Sequence, residues 1–164
     1  GKLFDSIIQK ATELGVWRIV PLLTERTVSK IESGEKEQKL EKWNQVAIES
    51  IKQCGSPWLP KIEMPCTIKE FLEIQSKIDL RMVGSLENER RHPRKCFEEF
   101  ARKNGKLPHS ISVAIGPEGD FTPEELQVLK LAGAQPITLG NLVLRTETAA
   151  MYCLSIINYE TQSA

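Results

Sequence analysis

The sequence predicts an α/β domain with a mainly parallel sheet flanked by helices. Three observations carry that prediction. Short apolar runs alternate with amphipathic helical stretches along the chain. Two of the runs, Ser112 to Ile115 and Pro136 to Leu139, each end at a glycine. Each glycine opens a loop that leads into a helix with a readable start. Two such loops leaving one edge of a parallel sheet make a crevice lined by backbone amides and carbonyls, where nucleotide-like ligands bind in open α/β sheets.

The elements follow in order. Leu3, Phe4, Ile7, Ile8, Ala11 and Leu14 recur at helical spacing, and Gly15 is a natural stop. Trp17 to Leu23 reads as a buried strand. Glu35 to Gln53 reads as a long helix with Leu40, Trp43, Val46, Ala47 and Ile51 inward. Lys61 to Met64 reads as a short strand, Ile68 to Gln75 as a short helix, and Asp79 to Val83 as a strand ending at Gly84-Ser85. Arg94 to Lys103 is amphipathic, with Cys96, Phe97 and Phe100 inward. Thr122-Pro123-Glu124-Glu125 starts a helix: threonine caps, proline takes the first helical position, and Glu125 completes a capping box. That helix stops at Gly133, and the last runs from Thr146 to about Tyr159 with Ala150, Leu154 and Ile157 on one stripe.

Composition narrows the function classes. With 164 residues, 40% hydrophobic and 27% charged, the chain is one ordinary globular domain. Lys plus Arg and Asp plus Glu both total 22, so a polyanion must be met by a local patch rather than a global field. Nothing approaches the roughly 20 consecutive apolar residues of a membrane span, so no membrane partner is expected. No signal peptide is visible. Cys54, Cys66, Cys96 and Cys153 are scattered without a CxxC pair, and the two histidines lie outside any ligand spacing, so no metal is expected. Scattered cysteines without a secretion signal point to a reducing, cytoplasmic location.

Neither the GxGxxG nor the GxxxxGK[ST] phosphate fingerprint is present. Taken singly, Gly116 and Gly119 read most simply as turn glycines. The longer strings are more specific: Ile115-Gly116-Pro117-Glu118-Gly119-Asp120-Phe121, and Leu139 through Leu144-Arg145-Thr146-Glu147-Thr148-Ala149. With Ile8 to Val16, Pro21 to Arg26, and Trp43, Ala47, Glu49, Gln53, Cys54, Gly55 and Pro60, they resemble the RsmE-type 16S rRNA uridine-N3 methyltransferases of the SPOUT superfamily. The resemblance runs through almost the whole chain.

That resemblance implies a SPOUT-type methyltransferase domain over residues 1–164, whose C-terminal portion forms a trefoil knot. It implies S-adenosylmethionine as cofactor, held by three loops: Gly84, Ser85 and Leu86; Ile115, Gly116, Pro117 and Gly119; and Leu139, Gly140, Leu142 and Leu144, with Thr148 beyond. It implies a homodimer and, as partner, 16S rRNA or the small ribosomal subunit. Full-length members carry an N-terminal β-barrel RNA-binding domain, and this chain begins where that domain would end. A sister activity at another RNA position, or a non-catalytic ribosome-binding or assembly factor of the same fold, are the alternatives. A flavodoxin-like nucleotide-binding module fits the alternation of elements but not the Leu-Arg-Thr-Glu-Thr string.

Chemistry assigns roles on this frame. The acceptor is a weakly acidic uracil ring N–H, so a cation near the uracil carbonyl oxygens favours the anion. Arg145 is the candidate; its other reading is a salt bridge to Glu147 or another carboxylate. Thr146 is most simply an N-cap, with Glu147 in the first helical turn. Glu147 and Thr148 are secondary catalytic candidates, and Glu118 is placed to take a proton or meet the cofactor's ammonium. RNA contact falls to Arg90, Arg91 and Arg94 of the run Arg90-Arg91-His92-Pro93-Arg94-Lys95, and to Arg26. The plainer reading of the run is a solvated loop, and of Arg26 a pairing with Glu13 or Glu25. Trp17, Trp43 and Phe97 read as core, Trp58 as exposed, Cys54 as a small buried residue.

Three positions depart from the family's pattern. Ser56 stands where an arginine is usual. Asp120 replaces the second glycine of a Gly-Gly pair, at a position that requires positive φ, which aspartate tolerates better than most residues. The segment Gly84 to Lys95 lacks the family's clearer loop pattern.

Overall fold

A computed structural model describes residues 2–27, 33–74 and 77–162. The elements are α1 (Lys2–Glu13), β1 (Arg18–Ile19), β2 (Leu22–Leu23), α2 (Ser33–Cys54), β3 (Lys61–Ile62), β4 (Cys66–Thr67), α3 (Ile68–Ile74), β5 (Leu80–Gly84), α4 (Pro93–Asn104), β6 (Ile111–Ala114), α5 (Pro123–Leu131), β7 (Ala134–Ile137) and α6 (Thr146–Thr161). Every strand pairing is parallel: β1 with β3, β2 with β4, and a three-stranded sheet in the order β6-β5-β7. The expected α/β class with parallel strands flanked by helices is what the chain forms. The expected helix end at Gln75 lies outside the described residues.

The strand expectations are corrected at three places: the run expected at Pro136 to Leu139 forms its strand two residues earlier, as β7; the pair Cys66–Thr67, read as no strand, is β4; and the first strand divides. Trp17 to Leu23 is two strands, β1 and β2, with Val20 and Pro21 between them. Proline has no N–H to give to a ladder; its carbonyl instead accepts from the Cys66 N–H at 3.1 Å, which starts the second pairing.

The three-stranded sheet is buried on both faces, as parallel sheets are. On one face Leu80, Met82 and Ile137 pack with Cys96 and Phe97 of α4 and Cys153 of α6. On the other, Val83 and Ala134 pack with Ile68, Phe121, Leu126 and Leu129. A third cluster of Ile8, Trp43, Ala47 and Ile62 joins α1 and α2 to β3. The buried line of α6 runs through Ala149 and Cys153, one position before the expected Ala150 and Leu154, which are half-buried.

Helix termini follow local chemistry at α5 and depart from it at α6. Thr122 Oγ accepts from the Glu125 N–H at 3.2 Å and Glu125 Oε2 from the Thr122 N–H at 2.9 Å, so the capping box forms as read. Helix α4 starts at Pro93, with His92 Nδ1 accepting from the Arg94 N–H. At α6 the N-cap is Arg145, without a side-chain cap bond, and Thr146 is already helical. Thr146 is thus not the cap that its residue type suggests.

Three burial expectations are also corrected. Trp17 is 71% exposed, because the left-handed turn at Gly15 (φ 76°) delivers it to the surface beside Trp58, ring centroids 6.0 Å apart. Leu3, read as part of the apolar face of α1, is exposed. Cys54, read as buried, ends α2 on the exposed side. Trp43 and Phe97 are core and Trp58 is exposed, as expected.

Residues 84–91 straddle the end of β7. On one edge the Ser85 N–H donates to Ile137 O at 3.1 Å. On the other, the Arg91 N–H donates to Pro136 O and the Thr138 N–H to Arg91 O, both at 3.0 Å.

Candidate functional site

Strands β6, β5 and β7 lie side by side and parallel, so their C-terminal ends bring three loops together. From the central β5 the chain goes first to one neighbour and later to the other, the strand-order reversal at which open α/β sheets bind ligands. The loops surround a cleft that is open to solvent. Its walls are Gly84, Ser85, Leu86 and Arg90 from the first loop; Ile115, Gly116, Pro117, Glu118 and Asp120 from the second; and Leu139, Gly140, Leu142, Val143, Leu144, Thr146 and Ala149 from the third and the start of α6.

The second loop is held in shape from inside. The Asp120 N–H donates to Pro117 O at 2.8 Å, closing a turn. Asp120 is the one non-glycine residue with positive φ among those described (60°), and its Oδ1 accepts from the Phe121 N–H at 2.8 Å. The departure from glycine is therefore accommodated by a local hydrogen bond. Gly116 is required sterically, because a Cβ there would lie 2.8 Å from Asp120 Oδ1 and 3.0 Å from the Phe121 nitrogen.

Two contacts tie this loop to the rest of the molecule. The Thr146 hydroxyl donates to Gly116 O at 3.0 Å, joining the second loop to the start of α6. Arg26 Nη1 donates to Gly119 O at 2.5 Å and Phe121 O at 3.4 Å, with its stem packed against Gly119. Neither Glu13 nor Glu25 is its partner. Glu25 instead receives support through its own N–H, which donates to Glu125 Oε1 at 2.9 Å.

Of the residues expected at the cofactor, ten line the cleft; Gly119 and Thr148 do not. Gly119 is turned to Arg26, and Thr148 is exposed beyond the first residues of α6. Glu118 is exposed on the cleft wall. Arg145 and Glu147 stand beside the cleft rather than in its wall; Arg145 is exposed and, among the described residues, forms no ion pair with Glu147 or any other carboxylate. In the basic run, Arg91 pairs with Glu99 at 2.7 Å, Arg94 with Glu160 at 3.0 Å and Lys95 with Glu98 at 2.9 Å. Arg90 goes into the cleft wall instead. Sequence reasoning missed Val143 and Ala149 as wall residues and misread Thr146. For Thr146 and Ala149 the available signal was their spacing of three on the first turn of α6, which puts both on one face of that helix.

Burial pushes the Cys96 thiol up to about 11 and the Cys153 thiol up to about 12, leaving both protonated beneath the sheet. Among the described residues no cluster of His, Cys, Asp and Glu can hold a metal ion, and no helix is long and apolar enough to cross a membrane. A second, smaller hollow between β2, α3 and the sheet is lined almost wholly by apolar side chains such as Leu22, Leu72, Val113 and Leu129.

Comparison with known proteins gives consistent results. The RNA methyltransferase domain family matches residues 1–158. The ribosomal RNA small subunit methyltransferase E of Mesomycoplasma hyopneumoniae is 34% identical over 157 residues, covering 94% of this chain and 63% of that protein. The protein of the same name from Synechocystis sp. is 32% identical, covering 96% and 50%. Among solved structures, a methyltransferase of Legionella pneumophila in complex with S-adenosylmethionine superposes with a TM-score of 0.85 at 31% identity, covering 97% of this chain and 62% of that one. A ribosomal RNA small subunit methyltransferase E of Neisseria gonorrhoeae bound to S-adenosylmethionine gives 0.80 at 27% identity, covering 97% and 61%. The chain thus spans between half and two thirds of the length of these relatives.

Proposed function

The chain belongs to the RNA methyltransferase domain family, and from that membership we propose that it is the methyl-transferring domain of an S-adenosylmethionine-dependent enzyme that modifies N3 of a uridine in 16S ribosomal RNA. The observation that carries the reading is the cleft at the ends of β5, β6 and β7, whose donor set suits this cofactor. Leu86, Ile115, Leu139 and Leu144 offer an apolar slot for a purine, loop backbone groups offer hydrogen bonds to its edge, and Arg90 and Glu118 supply opposite charges in the same cleft.

When bound, S-adenosylmethionine supplies a methyl group already activated by a sulfonium. The protein's own work is then to position and to deprotonate. The loops around Gly84, Gly116 and Gly140 orient the donor against the acceptor ring. Arg145, exposed and without a carboxylate partner among the described residues, stabilises negative charge on a uracil carbonyl oxygen and so favours the N3 anion. Glu118 is the carboxylate at hand for the proton or for an ammonium group. Glu147 and Thr148 frame Arg145 on the first turn of α6.

RNA meets the outer rim of the cleft, at Arg91 and Arg94. Their pairs with Glu99 and Glu160 are exposed and individually weak, so phosphates compete for them readily. Arg26 has the different task of holding the second loop. The embrace of β7 by residues 84–91 supports a trefoil knot in which the chain after β7 passes beneath that loop. Exposed Leu142, Val143, Tyr152 and Tyr159 support burial of this end in a homodimer. The site of action is the cytoplasm, where ribosomal RNA is.

Calorimetric titration with S-adenosylmethionine, beside ATP, FMN and NADH, tests the reading. Selective, saturable binding is expected, followed by methyl transfer to 16S RNA mapped to uridine N3. A folded protein that binds none of the four would instead be a non-catalytic assembly factor. Asp120 gives that alternative no support, since its backbone strain is locally relieved.

A further inference from the structure

Arg90 is set apart from its neighbours. Arg91, Arg94 and Lys95 each hold a carboxylate on the surface, whereas Arg90 is half-buried, lines the cleft, and makes one long hydrogen bond, from Nη1 to Ser85 O at 3.3 Å. Among the described residues it is the one cation in the cleft wall. Its direction is built into the backbone. Arg91 is pinned to the flank of β7 in extended pairing, and successive side chains of an extended segment point to opposite sides. Arg91 therefore reaches outward to Glu99 and Arg90 reaches inward.

A guanidinium without an anion in a partly desolvated wall is matched to a carboxylate ligand, which it can hold with two parallel hydrogen bonds. The acids of the same wall do not meet this need: among the described contacts Arg90 pairs with neither Asp120 nor Glu118. We propose that Arg90 binds the carboxylate of the methyl donor's amino-acid end and makes the cleft selective for donors that carry it. This rests on the cofactor reading above; it assigns Arg90 to the cofactor rather than to RNA.

The test is calorimetric titration of wild-type protein and of Arg90→Gln with S-adenosylmethionine and with its decarboxylated form. Wild type is expected to prefer the carboxylated donor by about 10- to 100-fold, the worth of one charge-assisted pair. Arg90→Gln should bind both forms alike, at the wild-type affinity for the decarboxylated one, and Arg90→Lys should keep part of the preference. Thermal unfolding establishes that the variants are folded. A preference that survives in Arg90→Gln overturns the assignment, as does an equal weakening toward both ligands, which marks a merely structural role. Unchanged cofactor binding with weakened RNA binding overturns it in favour of a phosphate contact. Wild type that binds neither donor removes the cofactor reading itself, and the Arg90 assignment with it.

Discussion

The Thr146 hydroxyl donates to the Gly116 carbonyl at 3.0 Å, so the glycine loop and the first turn of α6 are one hydrogen-bonded unit. Thr146 is the first residue of the helix and Gly116, 30 positions earlier, the second residue after β6. Both residues line the cleft. Replacing Thr146 by valine keeps its shape and removes the donor, leaving a half-buried carbonyl without this partner. A stability loss of about 1 kcal/mol is expected in urea, with weaker S-adenosylmethionine binding; Thr146→Ser should restore both. Equal behaviour of the valine and serine variants would show that the hydroxyl does not couple the loops.

Asp120 and Gly116 share a tight turn, and their substitutions should diverge. Asp120→Gly loses one hydrogen bond but gains ease at φ 60°, so a change within about 0.5 kcal/mol is expected. Asp120→Ala loses the bond and keeps the strain, costing about 1–2 kcal/mol. Gly116→Ala forces a Cβ against backbone at 3.0 Å; it should destabilise more than either and abolish cofactor binding. Chemical denaturation ranks the three.

Arg26→Ala removes the clamp on Gly119 O and Phe121 O. About 1 kcal/mol of stability should go, and cofactor affinity should fall because the loop loses its outer anchor. The salt dependence of RNA binding should keep its slope. A slope reduced by about one would instead identify Arg26 as a phosphate contact.

Alkaline pH acts through the thiols beneath the sheet. Burial raises Cys96 to about 11 and Cys153 to about 12 from the ordinary 9.0. Above pH 9 the unfolded chain releases these protons while the folded chain keeps them, so ν of the unfolded state is the smaller and stability falls as pH rises, until the folded values are passed. The contribution is fully present below pH 9. Urea midpoints at pH 8 and 10.5 should therefore differ more in wild type than in a Cys96→Ala, Cys153→Ala variant. Exposed Cys54 should meanwhile react with a thiol reagent in the folded protein, and buried Cys66, Cys96 and Cys153 only on unfolding.

Arg145→Ala is expected to bind S-adenosylmethionine almost as wild type does and to lose turnover by about 100-fold or more, the scale of removing one preorganised charge stabiliser. Full activity in that variant would take Arg145 out of the mechanism.

The sequence by itself determined what depends on neighbours within a few residues. The capping box of Thr122 and Glu125, the stop at Gly15 and the alternation of helices with strand runs come from dihedral preference and side-chain period, which a short window contains. The cleft loops were legible because a glycine following a strand run marks a turn wherever that strand finally lies. Tertiary structure decided the partners. Strand order β6-β5-β7 brings Gly116 to Thr146 and turns a plausible cap into a tie between loops; the approach of residues 22–27 to the second loop gives Arg26 a carbonyl 93 residues away instead of a nearby glutamate. The same holds for Trp17 and Cys54, whose residue types suggest burial but which stand exposed, one after the turn that follows α1 and the other at the end of α2. Pinning of Arg91 to β7 likewise sends Arg90 inward from a run that otherwise reads as solvated. Each of these outcomes depends on which distant segments are adjacent, and adjacency is set by the packing of the whole sheet and its helices.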